Sequence, residues 1–499
     1  MNKQSRNSVL RPSALVFLLG AFVCLTGCAA RAADSTIRDE WAVMSLSGVQ
    51  IGYDHTIARK VAEPQPVIVT STFSEMRIKD LGATLITHEI EEDYETPQGA
   101  LLLATYSVTG AEASDSEARV EDGKLIVTTH TGGTTHVTET AWDPEVLGPE
   151  AQMRRMRESG FPVGKGVTFK EYLREINKVV TSTITVEGRE TVTIAGKPRE
   201  LYKATEVTDA LPGVVTRVWL DETGDELKSV TNDGFEEICV TREEALGAVT
   251  SPDQTDLATL SVIVSNVKFD RPDLVTEALY RIEGRVENLK LEDRRQKIEK
   301  QGPGWVLLRV KALGDAAEPS AEKPGPEYLA ASAYLQSDDP DIQRMARDNV
   351  SPDASPETKA RQLAAWVVRY ITQKDYNVGF ASAKETLFSR EGDCKEHSLL
   401  LAALLRAAGI PSRVAVGVVY ANGQFMSHMW TEAYLNDWTA LDATLSGGNI
   451  VDAAHIKLGG SAMDGPTPDD AALIVEAQAH QNLKINVQEF KAERAPEAP

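Results

Sequence analysis

The chain has 499 residues, enough for about three domains of ordinary size. Apolar residues make up 42% of it and charged residues 25%, which is typical of globular proteins and excludes a wholly disordered chain. The formal net charge of −22 predicts an acidic surface that repels phosphate backbones, so we expect no nucleic-acid partner. Four cysteines are too few for a disulfide framework in a chain of this length.

The first residues have the pattern of a signal peptide. Three basic residues precede an apolar run of 12 residues, Ala14 to Leu25, which is too short to cross a bilayer core of about 30 Å as a helix. The run ends in Leu-Thr-Gly-Cys at Cys28, which resembles the bacterial lipobox. That resemblance implies cleavage after residue 27 and diacylation of the Cys28 thiol; the alternative is an ordinary secretory signal with an incidental cysteine. We therefore expect a protein of the cell envelope, anchored by lipid on the extracytoplasmic side. The alanine after Cys28 suggests the outer membrane if the cell is Gram-negative.

Composition divides the rest of the chain into segments. We predict a signal peptide at 1–27, a tether at 28–40, a β-rich domain at 41–250, a small β module or extension of it at 257–313, a linker at 314–326, a C-terminal domain at 327–484 and a disordered tail at 485–499.

The region 41–250 is predicted to be β-structure. Stretches rich in Val, Ile and Thr recur, and glycine-containing turn signals separate them. Examples are Val67–Phe73, Leu125–Thr129, Val180–Val186 and Val214–Leu220. Short turns between strands favour an antiparallel sheet, either a sandwich or one strongly curved sheet. The histidines of this region have no metal-ligand spacing, so no metal site is predicted there.

The C-terminal domain contains the first residues whose types and spacing are typical of a catalytic site. Asp393 and Glu396 have the spacing of a capping box, which makes Asp393 the N-cap of a helix and Cys394 its first residue. The helix is apolar almost all round and stops at Gly409, so we expect it to be buried. Its unpaired N–H groups and dipole favour a thiolate at Cys394, and the Cys394 N–H could donate to an oxyanion.

Three strands are predicted after this helix. Ser412–Tyr420 is Val-rich, Asn422-Gly423 is a hairpin signal, and a second strand from about Phe425 to Leu435 carries His428. A third strand leads to Asp442. The order Cys394, His428, Asp442 fits a nucleophile, a base and a residue that orients the base.

Strand parity tests this arrangement. With a two-residue turn at Asn436-Asp437, Asp442 would pair with Thr431, whose side chain points away from the face of His428. Asp442 can face His428 only if the turn has an odd length or a bulge intervenes. We therefore predict a three- or five-residue loop, or a bulge near Trp438–Leu441.

Simpler interpretations remain for these residues. Cys394 could be an inert buried thiol, and Cys239 lies in a strand-like context that predicts a buried residue. His397, one turn after Cys394, could be a rival base or form a C-x₂-H metal pair, although zinc needs three or four ligands. No role is apparent for His455.

The C-terminal motifs resemble the transglutaminase-like superfamily of papain-like thiol enzymes. The resemblance rests on Gly392-Asp393-Cys394, on Leu404 to Val414, on His428 to Tyr434 and on Leu441-Asp442-Ala443-Thr444. It covers roughly residues 330–460 and implies an α+β fold in which a cysteine-bearing helix packs on an antiparallel sheet. It also implies that Cys394, His428 and Asp442 are the catalytic residues. Ala443 departs from the family, where many members have proline.

These observations predict a β-rich N-terminal region followed by a transglutaminase-like domain. The expected function is a thiol enzyme that acts on peptide or protein amides of the cell envelope through a thioester on Cys394, ending in hydrolysis or acyl transfer. We expect no cofactor and no metal. The alternative is a non-catalytic envelope scaffold that retains the fold.

Overall fold

The computed structural model describes residues 35–493, except 47, 63, 81–82, 111–113, 132, 175–176, 212–213, 233, 249–262, 285, 287–288, 290, 313–322, 374–380, 445–450 and 465–482. The predicted signal peptide and Cys28 lie outside this range. Within it, no helix is long and apolar enough to cross a membrane.

One antiparallel sheet of 14 strands forms the N-terminal region. Its strands are β1 (Ser35–Leu46), β2 (Val49–Val61), β3 (Val67–Asp80), β4 (Ala83–Glu95), β5 (Leu101–Gly110), β6 (Ser114–Glu121), β7 (Lys124–Thr131), β8 (Thr134–Ala141), β9 (Gly166–Leu173), β10 (Lys178–Ile194), β11 (Lys197–Thr208), β12 (Val215–Leu220), β13 (Glu226–Thr231) and β14 (Phe235–Val240). The four stretches predicted from Val, Ile and Thr content all lie in these strands, which confirms that prediction.

Hydrogen bonds connect the 14 strands into one continuous sheet. Among these described strands, consecutive ones pair with each other except β8 and β9, and β1 also pairs with β14. Helix α1 (Pro149–Ser159) lies in the chain between β8 and β9. Arg174, just after β9, donates to the Thr105 carbonyl on β5 and to Asp93 on β4. Asn177, which precedes β10, donates to Thr138 Oγ1 on β8 at 3.3 Å, so a side-chain contact crosses the gap between β8 and β9.

Two predicted segment boundaries are wrong. β1 begins at Ser35, so residues 35–40 belong to the sheet and not to the tether, because their backbone pairs with β2. Strand β23 (Lys484–Ala492) replaces most of the predicted disordered tail, because β16 (Val275–Glu283) provides an edge for it to pair with. Sequence periodicity could not show either partner.

Raised carboxyl pKa values in the large sheet predict a stability that depends on pH. Burial raises the pKa of Asp54 to about 6, of Glu226 to about 7 and of Glu206 to about 8. The folded chain keeps protons that the unfolded chain loses near pH 4, so stability falls as pH rises from about 4 to 8. We expect the thermal midpoint of this region to be about 5 °C higher at pH 5 than at pH 8.

Calorimetry at the two pH values measures this difference. The variant Glu206→Gln/Glu226→Gln should lose much of it, whereas Glu158→Gln, on an exposed position of α1, should retain it. A midpoint that rises with pH in the unmodified protein would contradict the prediction.

Helix α2 (Arg242–Ala248) follows β14 and packs on β1 and β2 of the large sheet. The described C-terminal region combines two further sheets with four α-helices. One sheet contains β15 (Ile263–Val264), β19 (Ser412–Ala421), β20 (Gln424–Tyr434), β21 (Trp438–Leu441) and β22 (His455–Ser461), and the other contains β16, β17 (Gln296–Gly302), β18 (Trp305–Lys311) and β23. The helices are α3 (Pro340–Asp348), α4 (Pro356–Tyr370), α5 (Ala383–Ser389) and α6 (Cys394–Ala407).

Helix α6 is the centre of the C-terminal core. Every residue from Glu396 to Arg406 is buried, as the apolar sequence predicts. Its leucines pack with α3, α4 and α5 on one side and with Val414, Val416 and Met429 of the sheet on the other. On the strand side, Thr431 Oγ1 donates to the carbonyl of Ser398 at 3.0 Å. These contacts fix the N-terminus of α6 relative to β20.

Candidate active site

The N-terminus of α6 has the predicted capping box. The Asp393 carboxylate accepts from the N–H of Lys395 at 2.8 Å, and Glu396 accepts from the N–H of Asp393 at 2.9 Å. Gly392 makes this possible: its φ is 146°, and a Cβ there would lie 2.3 Å from the Cβ of Glu396. The capping box does not use the N–H of Cys394, which lies at the start of the helix.

His428 contacts the thiol of Cys394 at an opening in the sheet edge. β19 pairs along one edge of β20, so β15 and β21 must share the other. β15 reaches only Gln424 and Phe425, and β21 only residues 431 to 434. His428 lies in the gap between them, and the Cys394 thiol is close enough to raise the pKa of its ring. Cys394 is half-buried and His428 is 6% exposed.

Asp442 lies on the same face as His428, as strand parity requires. The register pairs Tyr434 with Trp438 and Thr431 with Leu441, so three residues, Leu435 to Asp437, form the loop. Asn436 adopts a φ of 71° in it. The prediction of an odd-length loop is confirmed. As a result, Asp442 Oδ2 is 3.1 Å from Nε2 of His428.

The structure adds His455, which the sequence analysis left without a role. Its Nε2 is 3.3 Å from the same Oδ2 of Asp442, and its Nδ1 is 2.9 Å from Oδ1 of Asp452. Asp442 is thus held between two imidazoles, and its Oδ1 also accepts from the N–H of Thr444. The spacing Asp452-x-x-His455 at a strand start was the available signal, but it does not indicate which carboxylate the ring meets.

The electrostatics favour the charged forms of His428 and Asp442. Burial alone would lower the pKa of His428, but hydrogen bonds with Asp442 and Cys394 raise it to about 9. Burial would raise the pKa of Asp442, yet hydrogen bonds from His428 and His455 hold it well below its usual range. His428 is therefore an imidazolium at neutral pH. An imidazolium beside a thiol at a helix N-terminus stabilises the thiolate.

His397 is not part of this contact chain. Its Nδ1 donates to the carbonyl oxygen of Asp393 at 2.5 Å, on its own helix, and the residue is 2% exposed. Within the described ranges, the potential metal ligands that come together are His428, Asp442 and His455, with ligand atoms within 4.8 Å of one another. Hydrogen bonds to a shared carboxylate oxygen account for that proximity without an ion. Cys239 is half-buried in β14, and burial raises its pKa to about 12.

Comparison with known proteins identifies the domain. Residues 343–443 match the model of the transglutaminase-like superfamily, so the chain contains a transglutaminase-like domain. No curated protein matches the chain significantly.

Three solved structures resemble parts of the chain. A candidate cysteine protease from Cytophaga hutchinsonii has 18% identity and a TM-score of 0.28, over 45% of this chain and 90% of that one. A β-barrel-like protein of a domain family of unknown function from Brucella abortus has 15% identity and a TM-score of 0.31, over 40% and 94%. A candidate protease from Parabacteroides distasonis has 10% identity and a TM-score of 0.17, over 68% of each chain.

Proposed function

We propose that this protein is an extracytoplasmic thiol enzyme that cleaves or transfers amide bonds through a thioester on Cys394. The observation that carries the proposal is the continuous set of contacts from the Cys394 thiol through His428 to Asp442. A buried imidazolium of this kind can keep the sulfur ionised and can later give its proton away. The lipobox-like tetrad at Cys28 supports a lipid anchor at the cell envelope.

The first half-reaction follows from the geometry. The Cys394 thiolate attacks the amide carbonyl carbon, and the C–S bond forms as the carbonyl oxygen takes the negative charge. The N–H of Cys394 is placed to donate to that oxyanion. The C–N bond then breaks, and the His428 proton passes to the leaving amine. Asp442 holds the ring in position for this transfer, and His455 holds Asp442.

The second half-reaction regenerates the thiol. Water or a primary amine attacks the thioester, neutral His428 accepts its proton, and the C–S bond breaks. Water yields a carboxylic acid, so the net reaction is hydrolysis; an amine yields a new amide, so the net reaction is acyl transfer. The substrate class is a peptide or protein amide of the cell envelope.

Trapping the thioester tests this proposal. We expect acid quenching during turnover of an envelope peptide mixture to leave an acyl adduct on the peptide that contains Cys394, detected by mass spectrometry. Adding a primary amine distinguishes the two outcomes, because only acyl transfer yields the amine-linked product.

Two variants provide the controls. Cys394→Ala should lose the adduct and all product, and Cys239→Ala should retain both. Peptide binding without any adduct or product would contradict the proposed enzyme activity and favour a non-catalytic scaffold.

A further inference from the structure

A polar cavity of about 710 Å³ lies between the β17–β18 hairpin and the sheet that carries His428. Arg294, Lys297 and Lys311 line it from the hairpin region, and Arg413, Trp438 and Lys457 from the other sheet. Its volume is in the range of small-molecule and peptide sites. Cys394 is not among its lining residues, so it is distinct from the proposed catalytic centre.

The cavity is basic in an acidic protein. Seven of its lining residues are Lys or Arg and four are Asp or Glu, whereas the whole chain has a net charge of −22. Arg413 and Lys457 share the carboxylate of Glu432, and Arg309 also pairs with Glu277 and Glu489. The positive charge that remains to attract an anion is therefore mainly that of Lys297 and Lys311.

The four acidic residues already have donors from the chain. Glu292 accepts from the N–H of Ile298, and Asp293 from the N–H groups of Arg295 and Gln296. Glu299 forms an ion pair with Arg309, and Asp437 accepts from the N–H of Trp438. These carboxylates therefore offer little to a cationic ligand.

The unused hydrogen-bonding capacity belongs to donors. Trp438 is 6% exposed, and its indole Nε1 has no hydrogen-bond partner among the described residues. The buried Nε of Arg294 makes no hydrogen bond either, although it lies 3.9 Å from Oδ2 of Asp437. In the same part of the chain, no carboxylate lies within 4 Å of the ammonium groups of Lys297 or Lys311. A buried donor without a partner is costly, so an acceptor supplied by a ligand would stabilise it.

One wall of the cavity is aromatic. Arg413 stacks on the Trp438 ring at 4.1 Å, and the Tyr328 ring meets the same indole edge-on at 5.0 Å. Because these side chains cover the indole, Trp438 offers a ligand its N–H and not its ring faces.

We propose that this cavity is a binding site for a carboxylate-bearing ligand, held by Arg294, Lys297, Lys311 and the Trp438 indole N–H. The carboxylate can belong to a small organic acid or to the side chains of an acidic peptide. The site is independent of turnover at Cys394.

Isothermal titration calorimetry on the full-length protein tests this site. The ligands are citrate, a blocked tri-glutamate peptide, the matching tri-glutamine peptide and inorganic phosphate. We expect saturable binding of citrate, the glutamate peptide or both, and none of the glutamine peptide. Citrate alone would identify a small acid as the source of the carboxylate, and the peptide alone would identify an acidic segment.

Three variants make the test specific. Lys297→Gln/Lys311→Gln should weaken binding about fivefold to tenfold. Lys197→Gln/Lys300→Gln removes the same charge from exposed positions outside the cavity and should have no effect. Trp438→Phe keeps a ring but removes the N–H, and should weaken binding about threefold to tenfold at a temperature where the variant is folded.

Three results would overturn the proposal: no binding of either carboxylate ligand, equal weakening by the two lysine pairs, or phosphate binding as tightly as citrate.

Discussion

Replacing His428 by alanine should slow the alkylation of Cys394 by iodoacetamide at pH 6 by about 10²-fold. An isolated thiol ionises near pH 8.5, so only about 0.3% of it is thiolate at pH 6. In the unmodified protein the His428 pKa of about 9 keeps the ring protonated at this pH, and its charge stabilises the sulfur anion. Mass spectrometric quantification of the peptide that contains Cys394 gives the rate.

His397→Ala is the informative comparison, because this residue lies on α6 one turn from Cys394. Its Nδ1 bonds to the Asp393 carbonyl, so we expect a much smaller effect on the alkylation rate. Cys239, whose pKa burial raises to about 12, should label slowly in every variant. Slow alkylation in the unmodified protein, or a larger effect of His397→Ala than of His428→Ala, would contradict the proposed role of the His428 imidazole.

Replacing Glu432 by glutamine should destabilise the C-terminal region by about 3–5 kcal/mol. Glu432 is 2% exposed, and its Oε2 lies 2.6 Å from both Arg413 Nε and Lys457 Nζ. Burial would raise the pKa of Glu432, but the two cations lower it to about 2. The substitution leaves two largely buried cations without their shared counter-ion. Urea-induced unfolding followed by tryptophan fluorescence measures the loss.

Glu139→Gln is a matched control on the large sheet. Its partner Lys124 is 2.7 Å away, but both side chains are more than half exposed, so solvent screens the pair and the expected loss of stability is much smaller than for Glu432. In the unmodified protein, the stabilisation from ionised Glu432 should persist at neutral pH and be lost as pH falls from about 4.5 towards 2. Equal effects of the two substitutions would show that Glu432 is more solvated than the structure indicates.

Local sequence was sufficient for the elements around the thiol. Gly392, Asp393 and Glu396 interact over four residues, so the capping box and the placement of Cys394 at a helix start could be predicted and are confirmed. Side chains alternate between the two faces along β20 and β21. For Asp442 to lie on the face of His428, the loop between these strands must contain an odd number of residues, as it does. Both arguments use contacts between residues that are close in sequence.

Other features depend on contacts that no local pattern specifies. β22, which carries His455, pairs with β19 and not with β21, so its partners follow from the order of strands in the sheet. β23 pairs with β16 more than 190 residues earlier in the chain, which is why its charged sequence suggested a free tail. The large sheet is likewise continuous because β1 pairs with β14, which joins strands β1–β8 to strands β9–β14.

The sequence by itself therefore determined the helix that presents Cys394, the hairpin that presents His428 and the parity of Asp442. Short-range hydrogen bonds and strand alternation are enough to specify these. Only the tertiary structure decided that His455 shares Asp442 and that a basic cavity forms beside β22, because strands from distant parts of the chain build both.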